Sequence, residues 1–183
     1  MHDDRGLVTR AQQYDEEAFA QLYDQYFKQI YRYILLKIGD QHEAEDMTQQ
    51  VFLKALKAIG SFEWKEDVPF SAWLYRIAHN QTVDYLRRKS RRPIGSLDGA
   101  VLYTEAGAEK LQDEVEVRLE LDRLVAAMEK LTPLQRDVIA LRFTSELPIA
   151  DVSRIMGKSE GAVKALQHSA IQALRRIMKR DGS

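Results

Sequence analysis

The 183-residue sequence contains no cysteine, which excludes a disulfide framework, a thiolate metal site and a cysteine nucleophile. No apolar run approaches the roughly 18 residues that a membrane-spanning helix needs. The charged N-terminus MHDDR also lacks the apolar segment of a secretion signal. We therefore expect a cytoplasmic protein that does not insert into a membrane.

The usual signs of an enzyme are also missing. The four histidines (2, 42, 79 and 168) are scattered, there is no glycine-rich phosphate loop, and no spacing is typical of a nucleophile and its base. His79 is expected to be a partly exposed helix residue rather than a catalyst. We therefore expect no catalytic residue, no metal site and no cofactor.

The charge is small in total but unevenly distributed. A formal net charge of −1 argues by itself against a general nucleic-acid binder. Residues 1–92, however, hold 14 basic and 14 acidic side chains, residues 93–116 hold 1 and 6, and residues 117–183 hold 12 and 8. The basic residues gather at 87–92 and 175–180, where they are placed to meet phosphate.

The first half of the chain predicts a helical domain over residues 1–92. Residues 9–13 are predicted as a short helix, and Asp15 caps a long amphipathic helix that ends at Gly39. Asp40 caps a helix over 41–59. A further helix runs from Phe70 to about residue 90, with Pro69 suited to its first position. Three substantial helices can share one core.

The helix from Phe70 has two distinct sides. Its apolar stripe consists of Phe70, Trp73, Leu74, Ile77 and Ala78, while Arg76, Asn80 and Arg87 fall along one flank. This pattern is typical of a helix anchored in a core that presents polar groups. The preceding loop contains Phe62 and Trp64, an aromatic pair that either folds back on the core or stacks on an unpaired base.

The second half begins after an aperiodic stretch. Residues 93–112 read as an acidic tether, and helical patterning resumes from 113. Threonine at 132, proline at 133 and glutamine at 135 form a capping-box signature. Pro148 opens a short helix that closes at Gly157, and Ser159 caps a longer final helix.

Residues 149–166 match the spacing of a helix-turn-helix. Ser153 supplies a small residue at the crossing, Gly157 supplies the turn, and Val163 and Leu166 are apolar positions early in the second helix. Short helix–glycine–helix joints also occur in proteins that never touch DNA, but the basic C-terminus favours DNA binding. The second helix would enter the major groove with Ser159, Glu160, Lys164, Ala165 and His168 outward, while Arg175, Arg176, Lys179 and Arg180 would contact phosphates.

Four segments together resemble a bacterial sigma factor of the extracytoplasmic-function (ECF) group of the sigma-70 family. In order they are DMTQQVFLKAL, FSAWLYRIAHNQTVDYLRR, LTPLQRDVIALRF and DVSRIMGKSEGAVKAL. The resemblance implies an all-α protein of two helical domains, region two over 1–92 and region four over 113–183, joined by a flexible acidic linker over 93–112. It also implies binding of core RNA polymerase, promoter recognition, DNA melting and transcription initiation.

The resemblance assigns roles to residues. On the outward face of the 41–59 helix, pattern alone favours ordinary solvated polarity, but the resemblance makes this face the polymerase contact, with Gln50 where the family usually has an acidic residue. The residues implied in core polymerase binding are Asp46, Gln49, Gln50, Phe52 and Leu53. Those implied in minus-ten DNA recognition and melting are Phe62, Trp64, Arg76, Asn80, Asp84, Arg87 and Arg88. Those implied in minus-thirty-five recognition are Ser159, Glu160, Lys164, Ala165, His168, Arg175 and Arg176.

The sequence alone leaves three other functions open. A two-domain helix-turn-helix regulator that does not bind core polymerase shares the C-terminal motifs, although residues 1–92 lack the alternating strands of a receiver domain. An enzyme is the second alternative, and the scattered histidines and the missing phosphate loop speak against it. An all-helical protein-interaction module is the third, and it would not need the basic clusters. The resemblance further implies an anti-sigma partner, since members of the family are commonly held by one that covers both domains.

Overall fold

A computed structural model describes residues 4–65, 68–91, 111–145 and 147–181. These residues contain eight α-helices, one short 3-10 turn and a single isolated β-bridge between Lys65 and Val68. The all-α prediction is therefore confirmed. The predicted linker over 93–112 lies outside the described residues except for its last two positions, and Arg92 also lies outside them.

Four helices form the N-terminal unit: α1 (Asp4–Gln12), α2 (Glu16–Ile38), α3 (Gln41–Ala58) and α4 (Phe70–Arg91). The two aspartate caps are as predicted, because the Asp15 carboxylate accepts a hydrogen bond from the amide of Ala18 and the Asp40 carboxylate accepts one from the amide of Glu43. Gly39 ends α2 with a φ of 77°, in the left-handed region. Pro69 lies just before α4 rather than at its first position.

Helix α1 begins earlier than its periodicity predicts, at Asp4 rather than at residue 9. The Asp4 carboxylate accepts hydrogen bonds from the Gln25 side chain at 2.7 Å and from the Tyr26 hydroxyl at 2.5 Å, and Val8 is fully buried against the rest of the unit. Tertiary contacts with α2 therefore extend a segment that is too short to be a stable helix by itself.

The C-terminal unit consists of α5 (Leu111–Glu129), α6 (Pro133–Thr144), α7 (Ile149–Met156) and α8 (Glu160–Asp181). The capping box at the start of α6 is present, with the Thr132 hydroxyl accepting from the Gln135 amide at 3.3 Å and the Thr132 amide donating to the Gln135 side chain at 3.2 Å. Pro148 is the cap of α7 rather than part of that helix.

The two units pack directly on each other: α2 packs against α6, and α4 packs against α7. One continuous cluster of buried apolar residues includes Tyr33 and Tyr75 from the N-terminal unit and Met128, Ile139 and Leu141 from the C-terminal unit. Burial of apolar surface thus stabilises both units and the contact between them. None of the helices in the described ranges is long and apolar enough to cross a membrane.

The turn between α7 and α8 gives a stability prediction. Gly157 has a φ of 62°, and a Cβ added there meets no atom within 4 Å, so the cost of Gly157→Ala is backbone strain alone. We expect it to destabilise the protein by about 1 kcal/mol. The matched control is Gly161→Ala in the first turn of α8, which has the same open space but helical geometry and should stabilise by up to about 0.5 kcal/mol. Urea melts of the two variants measure the difference, and equal effects would exclude the strain explanation.

Candidate nucleic-acid and protein interfaces

The outward face of α3 is the first candidate surface. Asp46, Gln49, Gln50 and Leu53 are exposed there, and 56% of Leu53 is accessible to solvent. Phe52 is instead buried, with its ring 4.7 Å from that of Tyr23. Phe52 therefore supports the helix from the core side, while the other four residues are available to a partner.

Sequence reasoning missed one residue of this face. Leu56 is 49% exposed and lies one helical turn beyond Leu53, so the two leucines form an apolar ridge flanked by polar side chains. Large apolar side chains exposed side by side are typical of a protein contact surface. The three-residue spacing of these leucines on the polar side of the helix was the signal available in the sequence.

Helix α4 presents the second candidate surface. Arg76, Asn80, Asp84 and Arg87 are exposed and follow one another at intervals of three or four residues, so they share one side of the helix. The Asp84 carboxylate pairs with the Arg87 guanidinium at 2.8 Å. Arg88, also exposed, donates to the Asp84 backbone carbonyl at 3.3 Å. The surface is thus a polar strip that becomes basic toward the end of the helix.

The aromatic loop before α4 places its two rings differently. Phe62 is buried, with its ring 5.6 Å from that of Phe70 and 5.2 Å from that of Trp73. Trp64 is only half-buried, and the Arg5 guanidinium lies 5.7 Å from its ring centre. Trp64 is therefore the aromatic side chain of this pair that is accessible, and Phe62 supports it through an edge-to-face contact at 5.0 Å.

The helix-turn-helix is the third candidate surface. Val152 and Val163 are fully buried and join α7 to α8 across the turn at Gly157. All seven predicted contact residues are exposed, one just before α8, four in its first half and two near its end: Ser159, Glu160, Lys164, Ala165, His168, Arg175 and Arg176. The start of α8 thus leaves these side chains open to solvent.

Two of these side chains have local partners. The Ser159 hydroxyl accepts a hydrogen bond from the Ala162 amide at 3.2 Å and so caps α8. The Lys164 ammonium lies 4.0 Å from the Glu160 carboxylate, with both side chains more than half exposed. An exposed pair at that distance contributes little to stability, so both side chains remain available to a ligand.

A buried charged cluster between the units was not foreseen from the sequence. We call it the Asp137 cluster, and it consists of Tyr33, Lys37, His79 and Asp137. The Asp137 carboxylate lies 2.7 Å from the Lys37 ammonium, 3.4 Å from the His79 ring and 3.3 Å from the Tyr33 hydroxyl. The expectation that His79 is partly exposed is wrong, since only 9% of it is accessible. Its burial follows from contacts with Tyr33 of α2 and Asp137 of α6, which the periodicity of α4 does not reveal.

Ionisation in the Asp137 cluster follows from these contacts. Burial alone raises the pKa of the Asp137 carboxyl, but the hydrogen bond from His79 and the charge of Lys37 outweigh it and hold that pKa below its ordinary value. Burial also raises the pKa of the Tyr33 hydroxyl well above its ordinary value, so the hydroxyl keeps its proton and donates to Asp137. The stability that the ionised carboxylate contributes is therefore present at neutral pH, above the ordinary aspartate pKa, and is lost as the pH falls through the lowered pKa.

The described part of the chain offers no group of three His, Cys, Asp or Glu side chains that could hold a metal ion. An open groove of about 530 Å³ lies between the units, lined by Tyr26, Trp64, Phe70, Tyr75 and Leu147 among others. The features with clear chemical character are therefore the three exposed surfaces and the Asp137 cluster.

Comparison with known proteins identifies two regions of the chain. The family model described as Sigma-70 region 2 matches residues 22–92, and that described as Sigma-70, region 4 matches residues 127–176. Among curated proteins, the ECF RNA polymerase sigma factor BldN of Streptomyces coelicolor is 38% identical over 96% of this chain and 66% of its own length. The ECF RNA polymerase sigma factor SigW of Bacillus subtilis is 32% identical over 94% of this chain and 95% of its own length.

Among solved structures, CnrH in complex with the cytosolic domain of CnrY is similar over 98% of this chain and 99% of that chain. The TM-score is 0.73 and the sequence identity is 25%. A TM-score of this size over nearly the full length means that both units, and not one alone, have counterparts in that fold.

Proposed function

This chain belongs to the ECF sigma factors of the sigma-70 family, which bind core RNA polymerase and direct transcription initiation at promoters, and on that premise we propose which of its surfaces does which part. Residues 1–92 act as the region-two domain, residues 113–183 as the region-four domain, and 93–112 as the linker. The observation that supports this division is the presence of two helical units. The N-terminal unit exposes polar side chains on α3 and α4, and the C-terminal unit exposes them on α8.

The α3 face is the proposed contact with core polymerase. Leu53 and Leu56 supply an apolar centre, and Asp46, Gln49 and Gln50 supply a polar rim, which is the usual anatomy of a protein interface. Phe52 contributes from beneath by packing on Tyr23. Because position 50 is glutamine, this rim carries one negative charge fewer than it would with the acidic residue that the family usually has there.

The strip on α4 and the aromatic loop are the proposed minus-ten site. Opening a promoter requires that a base leave its stack, which costs a few kcal/mol and must be offset by stacking and edge hydrogen bonds. Trp64 offers a partly exposed ring, Asn80 offers both a donor and an acceptor, and Arg87 and Arg88 lie along the same helix to meet phosphates. Phe62 serves by holding Trp64 in place.

The start of α8 is the proposed minus-thirty-five reader. Lys164 suits the acceptor atoms of guanine, Glu160 suits the cytosine amino group, and Arg175 and Arg176 suit phosphates farther along the helix. We expect Lys164→Ala to weaken binding to the upstream element by about 1–3 kcal/mol and to relax base preference at one position. The matched variant Arg176→Ala should weaken binding to all sequences alike. Fluorescence anisotropy on an oligonucleotide panel compares the two, and an unchanged base preference in Lys164→Ala would reject its base-reading role.

Partners and setting follow from the same proposal. The partners are core polymerase, promoter DNA and an anti-sigma protein that covers both units, the last supported by likeness to a structure described as a complex of CnrH with CnrY. The protein itself has no catalytic role, because the polymerase makes the phosphodiester bonds, and it works in the cytoplasm beside the chromosome. A regulator that never binds polymerase is not favoured, since residues 22–92 match region 2.

In vitro transcription tests the proposal as a whole. Purified core polymerase and fragmented genomic DNA are incubated with and without the protein, and transcript starts are mapped. New starts that share two spaced upstream motifs would establish the function and provide the promoter sequence. Absence of new starts together with absence of core binding by gel filtration would reject it.

A further inference from the structure

The contact between the two units is built around a buried ion pair that spans them. Lys37 lies on α2 in the N-terminal unit and Asp137 on α6 in the C-terminal unit, and each is about 95% buried. Tyr33 of α2 and His79 of α4 complete a receptor for one carboxylate group. The N-terminal unit thus holds a site for a carboxylate, and the occupant of that site is a side chain of the C-terminal unit.

Other directional contacts join the same faces. The Tyr75 hydroxyl donates to the Thr144 carbonyl at 2.6 Å, and the Arg136 guanidinium donates to the Lys37 carbonyl at 3.4 Å. A Cβ added at Gly39 would lie 2.7 Å from the Glu129 carboxylate, so the end of α2 approaches the C-terminal unit closely. These contacts fix one orientation of the units rather than a loose association.

The chemistry of this contact favours reversibility. A buried ion pair stabilises an interface less than apolar side chains of the same volume, because both charges lose their hydration. When the units separate, Lys37 and Asp137 regain water, so the open form leaves no charge stranded in an apolar setting. An apolar pair at these positions would instead expose a hydrophobic patch on opening.

The closed arrangement does not fit a protein bound to both promoter elements. Elements about 25 base pairs apart lie roughly 85 Å apart along the duplex, at 3.4 Å per base pair. A compact chain of this length has a radius of gyration of about 16 Å, and so cannot place α4 and α8 on both elements. The twenty Cα–Cα steps from Arg91 to Leu111 allow a maximum reach of roughly 65 Å, which permits separation of the units.

We propose that the Asp137 cluster is a latch that holds the free protein closed, with Asp137 as its key residue, and that it opens when the protein takes up its place on polymerase and promoter. The opening step rests on the proposed function, whereas the closed contact does not. With this latch the closed arrangement needs no partner protein. The free protein then holds its two DNA-reading surfaces too close together to contact both promoter elements.

Distance measurement in the full-length chain tests the latch. Because the sequence has no cysteine, spin labels can be placed at Glu17→Cys on α2 and Gln172→Cys on α8, both exposed and outside the Asp137 cluster. Double electron–electron resonance should give one short distance between the two spin labels in the otherwise wild-type protein. Asp137→Asn removes the charge but keeps the shape, and we expect it to raise the ratio of open to closed molecules at least tenfold. Asp122→Asn, an exposed carboxylate on α5, is the matched control and should leave the distance unchanged.

A second variant keeps the test decisive if Asp137→Asn fails to fold by circular dichroism. Lys37→Met combined with Asp137→Leu replaces the ion pair by apolar side chains, and we expect it to stay closed and to resist the opening that core polymerase and promoter DNA cause in wild type. An unchanged distance in a folded Asp137→Asn, or an apolar pair that opens as readily as wild type, overturns the latch. If Asp137→Asn opens but polymerase yields no new transcript starts, the latch stands and the proposed function fails.

Discussion

Changing Leu53 and Leu56 together to aspartate is expected to weaken binding to core polymerase by about 3 kcal/mol, roughly a hundredfold, and to remove transcription at ordinary protein concentrations. The two side chains are the exposed apolar centre of the α3 face, and a partner that covers them would have to bury two carboxylates in their place. Both positions face solvent in the free protein, so we expect its thermal stability to stay near wild type. Anisotropy titration of labelled protein with core polymerase measures the effect.

The matched control for that result is Leu119→Asp. Leu119 is 53% exposed and apolar, but it lies on α5, away from the proposed polymerase contact. It should bind core polymerase as wild type does. If the leucine pair on α3 and the control lose affinity equally, the effect is one of surface charge in general, and the α3 face loses its assignment.

Combining Asn80→Ala with Trp64→Ala is expected to lower the fraction of open promoter complexes about a hundredfold while leaving binding to double-stranded promoter within about twofold. Loss of stacking on Trp64 accounts for about 1–3 kcal/mol, and loss of the Asn80 hydrogen bonds accounts for about 1 kcal/mol more. Both groups act only once a base is unstacked, so duplex binding does not depend on them. Permanganate footprinting measures melting, and a gel-shift assay measures duplex binding.

Two controls separate this effect from damage to the fold. Trp64 is half-buried beside Phe62, so Trp64→Phe, which keeps an aromatic ring, should retain most of the melting activity. Gln21→Ala removes an exposed amide from α2 and should have no effect on melting. Equal losses in the melting and duplex assays for the double variant would contradict capture of an unstacked base.

The sequence predicts the exposed residues of the α3 face better than those of the loop before α4. For α3, the period of the helix fixes which residues face outward, and Asp46, Gln49, Gln50 and Leu53 are exposed as the pattern requires. Phe52 lies on the flank of the same helix that packs on Tyr23, and family likeness alone grouped it with them. For the loop before α4, no period applies. Only packing distinguishes the buried Phe62 from the accessible Trp64.

Local signals by themselves determined the longer helices of the N-terminal unit, several helix caps and the turn of the helix-turn-helix, whereas the start of α1 depended on tertiary contacts. Asp15, Asp40 and the Thr132–Gln135 box act within a few residues of themselves, so their hydrogen bonds can be read from spacing. Gly157 likewise adopts the positive φ that its place in the motif requires. Order and spacing of four such segments were also enough to identify the family.

Tertiary structure alone decided the relation between the two units. Lys37 stands in an apolar run near the end of α2, and Asp137 lies in the first half of α6, a hundred residues later. Neither position carries a local signal that the other is its partner. A buried ion pair depends on which helix faces meet, because desolvation and Coulomb attraction act between neighbours in space rather than along the chain. The sequence therefore specified each unit, while the packing of α2 against α6, together with the approach of His79 on α4, created the Asp137 cluster.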